Sequence, residues 1–331
     1  MHRLSDKQMA GQRLMIGFDG IDLNEDLQYH IKNHQVGGLI LFSRNITSPE
    51  QVRSLCDSTQ AFARACGLPG LLIAIDQEGG TVARLKHPFT EFPGNIHMRT
   101  QEDAVNFARI SAQELIDVGI NMNMAPVLDV AFDPQVSIMK ARSFGSDPDW
   151  VAQMGLTVIA HLQAGGVVSV AKHFPGIGRT ILDSHLELPY LEADADELWA
   201  GDLEPFRQAI AHDVCGVMLA HICFRALDDE WPASLSKKIA RNLLRHRMGY
   251  DGLVITDDLD MGAIKKHWGI RLVMQQILEA EIDVALLCHP GPDIATAYES
   301  IFSFQSASLR NRSLCERSVE RIMRLKTRYL A

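Results

Sequence analysis

The chain has 331 residues, 47% hydrophobic and 22% charged, and a formal charge of −9 from 32 basic and 41 acidic residues. That balance leaves little room for long disordered stretches, and no clustered basic face of the sort a nucleic-acid binder depends on is visible. No apolar run reaches the ~18 residues of a membrane span, and the opening "MHRLSDKQMAGQRLMIGF" lacks the apolar core of a signal peptide, so a cytoplasmic protein is expected.

Taken in chain order, short apolar runs alternate with longer stretches of helical periodicity. The runs are "LMIGF" (14–18), "VGGLILF" (36–42), "LLIAIDQ" (71–77), "INMNMAPV" (120–127), "VVSVAKHF" (167–174), "CGVMLAHI" (215–222), "GLVITDDL" (252–259) and "VALLCH" (284–289). Between them lie "DAVNFARISAQELIDVG", "DWVAQMGLTVIAHLQAGG" and "SKKIARNLLRHRMGY", and "SLCERSVERIMRLKTRYL" closes the chain as an amphipathic helix. Several helical stretches end in glycine just before the next strand, as a helix C-terminus should. Eight β-α repeats close most simply into a (β/α)8 TIM barrel; an open doubly wound sheet shares the same local pattern, and the strand count favours the barrel. No linker or low-complexity tract divides the chain, so residues 1–331 read as a single domain. Cys56, Cys66, Cys215, Cys223, Cys288 and Cys315 form no C-x-x-C pair, which fits reduced core thiols.

In a barrel the site lies at the C-terminal ends of the strands. Strand three ends at Asp76, strand five at Lys172 and His173, strand six at His221, strand seven at Asp257 and Asp258, and strand eight at His289. One such residue alone reads as a cap or a solvated end; five strands delivering titratable groups to one rim read as a site, of either metal-dependent hydrolase or glycosidase type. The first strand offers no ligand and there is no His-x-His, which puts a metal behind. Neither a Gly-rich phosphate loop nor a metal-ligand set is present, so no cofactor is expected.

The blocks "IAIDQEGGTVARL", "RSFGSDP", "KHFPGIGRTILDSH" and "ITDDLDMGAI", in that order and spacing, resemble the glycoside hydrolase family 3 β-N-acetylglucosaminidases of the single-domain bacterial type. The resemblance implies a TIM barrel that removes terminal β-linked N-acetylglucosamine with retention, through a covalent glycosyl-enzyme, and in bacterial cytoplasm trims 1,6-anhydro-muropeptides during cell-wall recycling. The family's larger β-glucosidases carry a second α/β domain that this chain is too short to include. Matched position by position, Asp257 is the nucleophile, a carboxylate placed to trap the oxocarbenium-like transition state as an ester. Asp258, by strand alternation, is expected to point to the other side. The "DSH" match makes His185 the acid/base and Asp183 the group that fixes its tautomer, on a loop whose glycines permit sharp turns. Asp76, Arg84, Arg142, Lys172 and His173 are the matched residues that hold the sugar hydroxyls; a buried ion-pair network that only stabilises the barrel is the plainer reading of the set.

The sequence departs from the family's K-H-F-P-G-H-G at Ile177 and puts Arg179 where a small or acidic residue is common, which bears on closure of the loop. "AEIDVALLCHP" also departs from the family's A-G-x-D, at Glu281 and Ile282, where only the helix-to-strand turn is expected to change. Competing readings are a phosphorylase, since a histidine acid/base does not repel phosphate, a family 3 β-glycosidase of other sugar specificity, and a non-catalytic sugar-binding barrel. The expected partner is a small carbohydrate, a GlcNAc-containing saccharide or muropeptide; no nucleic acid or membrane is expected, and the sequence is silent on the aglycone and on oligomeric state.

Overall fold

The structure, a computed structural model, describes residues 4–182, 184 and 187–330. Eight parallel strands close into a barrel: β1 Leu14–Ile16, β2 Gly38–Leu41, β3 Leu72–Ile75, β4 Met122–Asn123, β5 Val168–Phe174, β6 Gly216–Leu219, β7 Leu253–Asp258 and β8 Val284–Leu287. Each strand pairs with its neighbours in sequence, and β1 closes on β8 through Leu14↔Ala285, Met15↔Leu286 and Ile16↔Leu287. All eight apolar runs read from the sequence supply these strands. The fourth is the shortest, and a bridge between Val127 and Lys172 continues its pairing with β5 beyond the Ala125–Pro126 bond.

Strand alternation sorts the apolar residues into two cores. Met15, Ile40, Leu72, Ala74, Met122, Val168, Val170, Met218, Ile255 and Leu286 point inward and fill the barrel. Their neighbours Leu14, Ile16, Leu39, Leu41, Ile73 and Ile75 point outward and pack beneath the helices. The last helix, Leu309–Tyr329, lays Ile322 and Leu325 against the inner core and so covers one end of it; the other end is left to polar groups.

Helix boundaries follow local chemistry. Ser48, Thr100 and Asp147 cap Pro49–Ala65, Gln101–Asp117 and Pro148–Ala164, each side chain accepting a backbone N–H of the first turn. Three of the stops are glycines at positive φ, Gly67 (71°), Gly119 (82°) and Gly166 (84°), which make the left-handed turn into the following strand. Before β8 the same turn is made by Glu281 (φ 58°). Its carboxylate meets Arg241 at 2.8 Å and Arg317 at 3.0 Å, which offsets the strain that glycine avoids. All six cysteines are free and five are buried. Among the described residues no helix is long and apolar enough to cross a membrane.

Candidate active site

At the C-terminal ends of the strands a pocket is floored by inner-core residues Ile40, Met218, Leu286 and Cys288 and walled by Asp76, Arg84, Arg142, Lys172, His173, Asp257 and Asp258. The fold therefore brings Asp76, Arg84, Arg142, Lys172, His173 and Asp257 together from positions up to 181 residues apart in sequence. Asp183 and His185 lie outside the described residues. Ser184, between them, is buried and its carbonyl accepts the Ala263 N–H at 3.1 Å, just past the end of β7.

The wall is a network of alternating charge. Lys172, 2% exposed, donates to Asp76 Oδ1 and lies as close to Glu78 Oε1, both at 2.7 Å. Arg142 grips Glu78 with two bonds, Nε to Oε2 at 2.9 Å and Nη2 to Oε1 at 2.7 Å, and Arg84 Nη2 reaches Asp76 Oδ2 at 3.3 Å. Burial pushes the Asp76 carboxyl upward, but Lys172, Arg84 and Arg142 outweigh it and hold the group down at about 2. Glu78 is lowered by the same contest, burial losing to Lys172 and Arg142. Lys172 is raised: burial disfavours its charge, and the two carboxylates more than restore it. Asp76, Glu78, Lys172 and Arg142 thus favour one another's charged forms, with one face of the network open to the pocket.

Asp129 continues the network on the other side. Its Oδ2 pairs with His173 Nδ1 at 2.7 Å, and its Oδ1 accepts the backbone N–H of His173 at 3.3 Å and of Ile177 at 2.8 Å. His173 Nε2 is left facing Arg142 Nη2 at 3.4 Å. Glu78 and Asp129, which hold Arg142, Lys172 and His173 in the pocket wall, are positions that the sequence reading passed over. Glu78 stands two residues after Asp76 inside the quoted "DQEGG", and Asp129 closes the run after strand four, where the strand-end criterion applied to other strands would have found it.

Asp257 sits at the end of β7. Burial raises its carboxyl, and the neighbouring His221, His173, the Asp258 N–H bound to Oδ1 at 2.8 Å, and Lys172 together bring it below the usual carboxylate range. Asp258 departs from simple alternation. The pairing of β7 with β8 slips between Ile255 and Asp258, and both carboxylates border the pocket. Asp258 Oδ1 accepts the N–H groups of Asp260 and Cys288, each at 3.0 Å, so it fastens β7 to the segment after β8; burial pushes it up to about 6. His221 is buried beneath the site, its ring nitrogens against Ser234 Oγ (2.6 Å) and the Asp258 carbonyl (2.8 Å). His289 stands exposed at the rim, 3.6 Å from Asp260 and 3.8 Å from Asp258. Asp258, Asp260 and His289 are the one set among the described residues whose ligand atoms lie within 4.8 Å of one another. Their oxygens are largely engaged by backbone N–H groups and by Lys265.

The two departures in the glycine-rich segment are both accommodated. Ile177 is 5% exposed and belongs to the outer core, while its N–H serves Asp129. Arg179 finds a buried carboxylate, Asp202, at 2.8 Å.

The pattern of the glycosyl hydrolase family 3 N-terminal domain matches residues 6–325. The chain is 36% identical over 321 residues to β-hexosaminidase A of Pseudoalteromonas piscicida, covering 86% of this chain and 54% of that protein. It is 37% identical over 287 residues to a β-hexosaminidase of Alkalilimnicola ehrlichii, covering 84% and 81%. The solved family 3 β-N-acetylglucosaminidase of Paenibacillus sp. FPU-7 superposes with a TM-score of 0.95 at 38% identity, over 99% of this chain and 63% of that one. The chain thus spans little more than half of the first relative and under two thirds of the Paenibacillus structure. Barrel and rim pocket together define a protein of the TIM-barrel class. Within that class the chain belongs to glycosyl hydrolase family 3.

Proposed function

We propose that this chain is a retaining exo-β-N-acetylglucosaminidase. The observation that carries the reading is the Asp257 carboxylate, held below the usual carboxylate range in the pocket wall beside Asp76, Arg142 and Lys172. In this reading Asp257 attacks the anomeric carbon and forms the glycosyl-enzyme ester. Asp76, Arg84, Arg142, Lys172 and His173 hold the sugar hydroxyls through charge-assisted hydrogen bonds, their geometry fixed beforehand by Glu78 and Asp129. His185, oriented by Asp183, protonates the leaving oxygen and then activates water, roles assigned by the "DSH" match to the family. The names of the similar proteins support N-acetylglucosamine as the sugar removed. Release from 1,6-anhydro-muropeptides in the cytoplasm, during peptidoglycan recycling, is the natural setting proposed, with residues 1–331 acting as one catalytic domain.

The test is hydrolysis of p-nitrophenyl N-acetyl-β-D-glucosaminide beside the corresponding β-glucoside, by wild type and Asp257→Ala. Cleavage of the N-acetyl substrate alone, abolished in the variant, is the expected result. A folded wild type that cleaves neither would overturn it in favour of a sugar-binding barrel, and a sugar 1-phosphate formed in phosphate buffer would make the chain a phosphorylase.

A further inference from the structure

The segment that leads from β5 towards the "DSH" tripeptide is seated on the barrel rim by close backbone contacts. At Gly176 (φ 122°) an added Cβ would come 2.9 Å from Asp202 Cβ, and at Gly178 it would overlap the Val130 carbonyl oxygen at 1.9 Å. Side chains are excluded from both positions, so the backbone itself lies on Val130 and Asp202. Ile177 N–H is bound by Asp129, Thr180 N–H donates to the Ile177 carbonyl at 3.0 Å, and the Thr180 carbonyl accepts from Ile138 N–H at 3.2 Å. Beyond Thr180 the next two side chains, Ile181 and Leu182, turn outward and are 64% and 51% exposed.

Arg179 is the last charged side chain before that exposed stretch. Its Nε donates to Asp202 Oδ2 at 2.8 Å, and its guanidinium stacks 4.0 Å above the Phe132 ring. Asp202 is fully buried, and its Oδ1 has no hydrogen-bond partner among the described residues. A buried carboxylate is costly to keep, and its removal from water is offset here by the Arg179 guanidinium. The surroundings are shaped for the pair. Gly201, next to Asp202, could not carry a Cβ without coming 2.6 Å from Phe132 and 3.6 Å from Arg179 Nη2.

Resting on the proposed function, we infer that Arg179 and Asp202 form a positioning latch that sets where the acid/base segment leaves the barrel. Arg179 and Asp202 touch neither sugar nor nucleophile in this arrangement. They act through the backbone of residues 176–180; further along the chain, the Ser184 carbonyl accepts the Ala263 N–H. A latch of this kind governs proton donation to the leaving group and leaves the attack of Asp257 untouched.

Proton donation and nucleophilic attack are separated by the leaving group. A 2,4-dinitrophenolate departs with little acid assistance, whereas the sugar oxygen of N,N′-diacetylchitobiose requires it, and kcat/KM reports the glycosylation step in both cases. The ratio of the two kcat/KM values is insensitive to the fraction of protein folded. In Arg179→Ala, kcat/KM for chitobiose is expected to fall about tenfold further than for 2,4-dinitrophenyl N-acetyl-β-D-glucosaminide, a part of the 10²–10⁴ that a placed general acid contributes. Arg179→Lys, which keeps the cation over Phe132 and beside Asp202, restores much of the ratio. An unchanged ratio in Arg179→Ala, whatever the change in melting temperature, overturns the latch and leaves the pair structural. A wild type inactive on both substrates removes the proposed function, and the latch with it.

Discussion

At the scale of single residues, the pocket wall depends on Glu78, a carboxylate buried behind it. Glu78 is 2% exposed and carries bonds from both Lys172 and Arg142. Replacing it with glutamine leaves two buried cations competing for Asp76, and breaking a buried pair by removing one partner costs about 3–5 kcal/mol. Urea denaturation of Glu78→Gln is expected to show a loss of about that size, accompanied by a rise in KM as Arg142 and Lys172 lose their fixed geometry. A variant as stable as wild type would mean that the cations are solvated in place. Asp76 adds a pH signature. Its folded carboxyl is held at about 2, below its unfolded value, so its contribution to stability is present above roughly pH 4 and is lost as the pH falls towards 2. Asp76→Asn is therefore expected to flatten that acid limb of the stability curve. These residues were partly legible. Asp76, Lys172, His173 and Asp257 stand at strand ends, where sequence position alone marks them. Arg84 and Arg142 came only from their matched motif blocks, because each lies in an irregular stretch whose direction a period cannot give.

At the scale of elements, the eight strands and the main helices were legible because burial on both faces makes parallel strands continuous apolar runs and glycine marks the helix stops. The helix-to-β8 turn is the informative exception. Glu281 adopts φ 58° where Gly67, Gly119 and Gly166 serve elsewhere, and it holds Arg241 and Arg317. Glu281→Gly loses those pairs but gains an unstrained left-handed turn, whereas Glu281→Ala loses the pairs and keeps the strain. The alanine variant is expected to be less stable than the glycine variant by about 1 kcal/mol, read from paired urea midpoints. Equal midpoints would show that the turn stores no strain. The simple alternation rule fails at Asp258 because β7 slips register against β8, and no property of "ITDDLDM" announces a slip that depends on the neighbouring strand.

At the scale of the whole molecule, the chain's two ends meet beneath the barrel. Asp283, fully buried, binds Arg245 at 2.6 Å and Arg321 at 2.9 Å, and burial is outweighed by these two arginines so that its carboxyl stays below the usual range. Lys326 on the last helix is buried with Gln12 Oε1 at 2.6 Å and the Gly37 carbonyl at 2.7 Å as acceptors. Burial lowers its amine to about 7. Between that value and its unfolded value near 10, the unfolded chain holds a proton that the folded chain does not, so stability rises with pH across this window. Lys326→Met removes the group that titrates. The stability of wild type relative to Lys326→Met is therefore expected to increase from pH 7 to pH 10, and a constant difference would show that the amine stays charged in the fold.

What the sequence determined by itself was whatever is local or repeated: eight β-α units, their stops, the strand-end acids and bases, and four motif blocks tied to one family. Periodicity and chain direction are properties of neighbouring residues, so they survive without coordinates. Tertiary structure alone decided which charges face each other. Glu78 with Arg142, Asp129 with His173 and Ile177, and Arg179 with Asp202 join segments 64, 44, 48 and 23 residues apart. Barrel closure brings them together, and the energy of a buried charge is set by the partner that closure supplies.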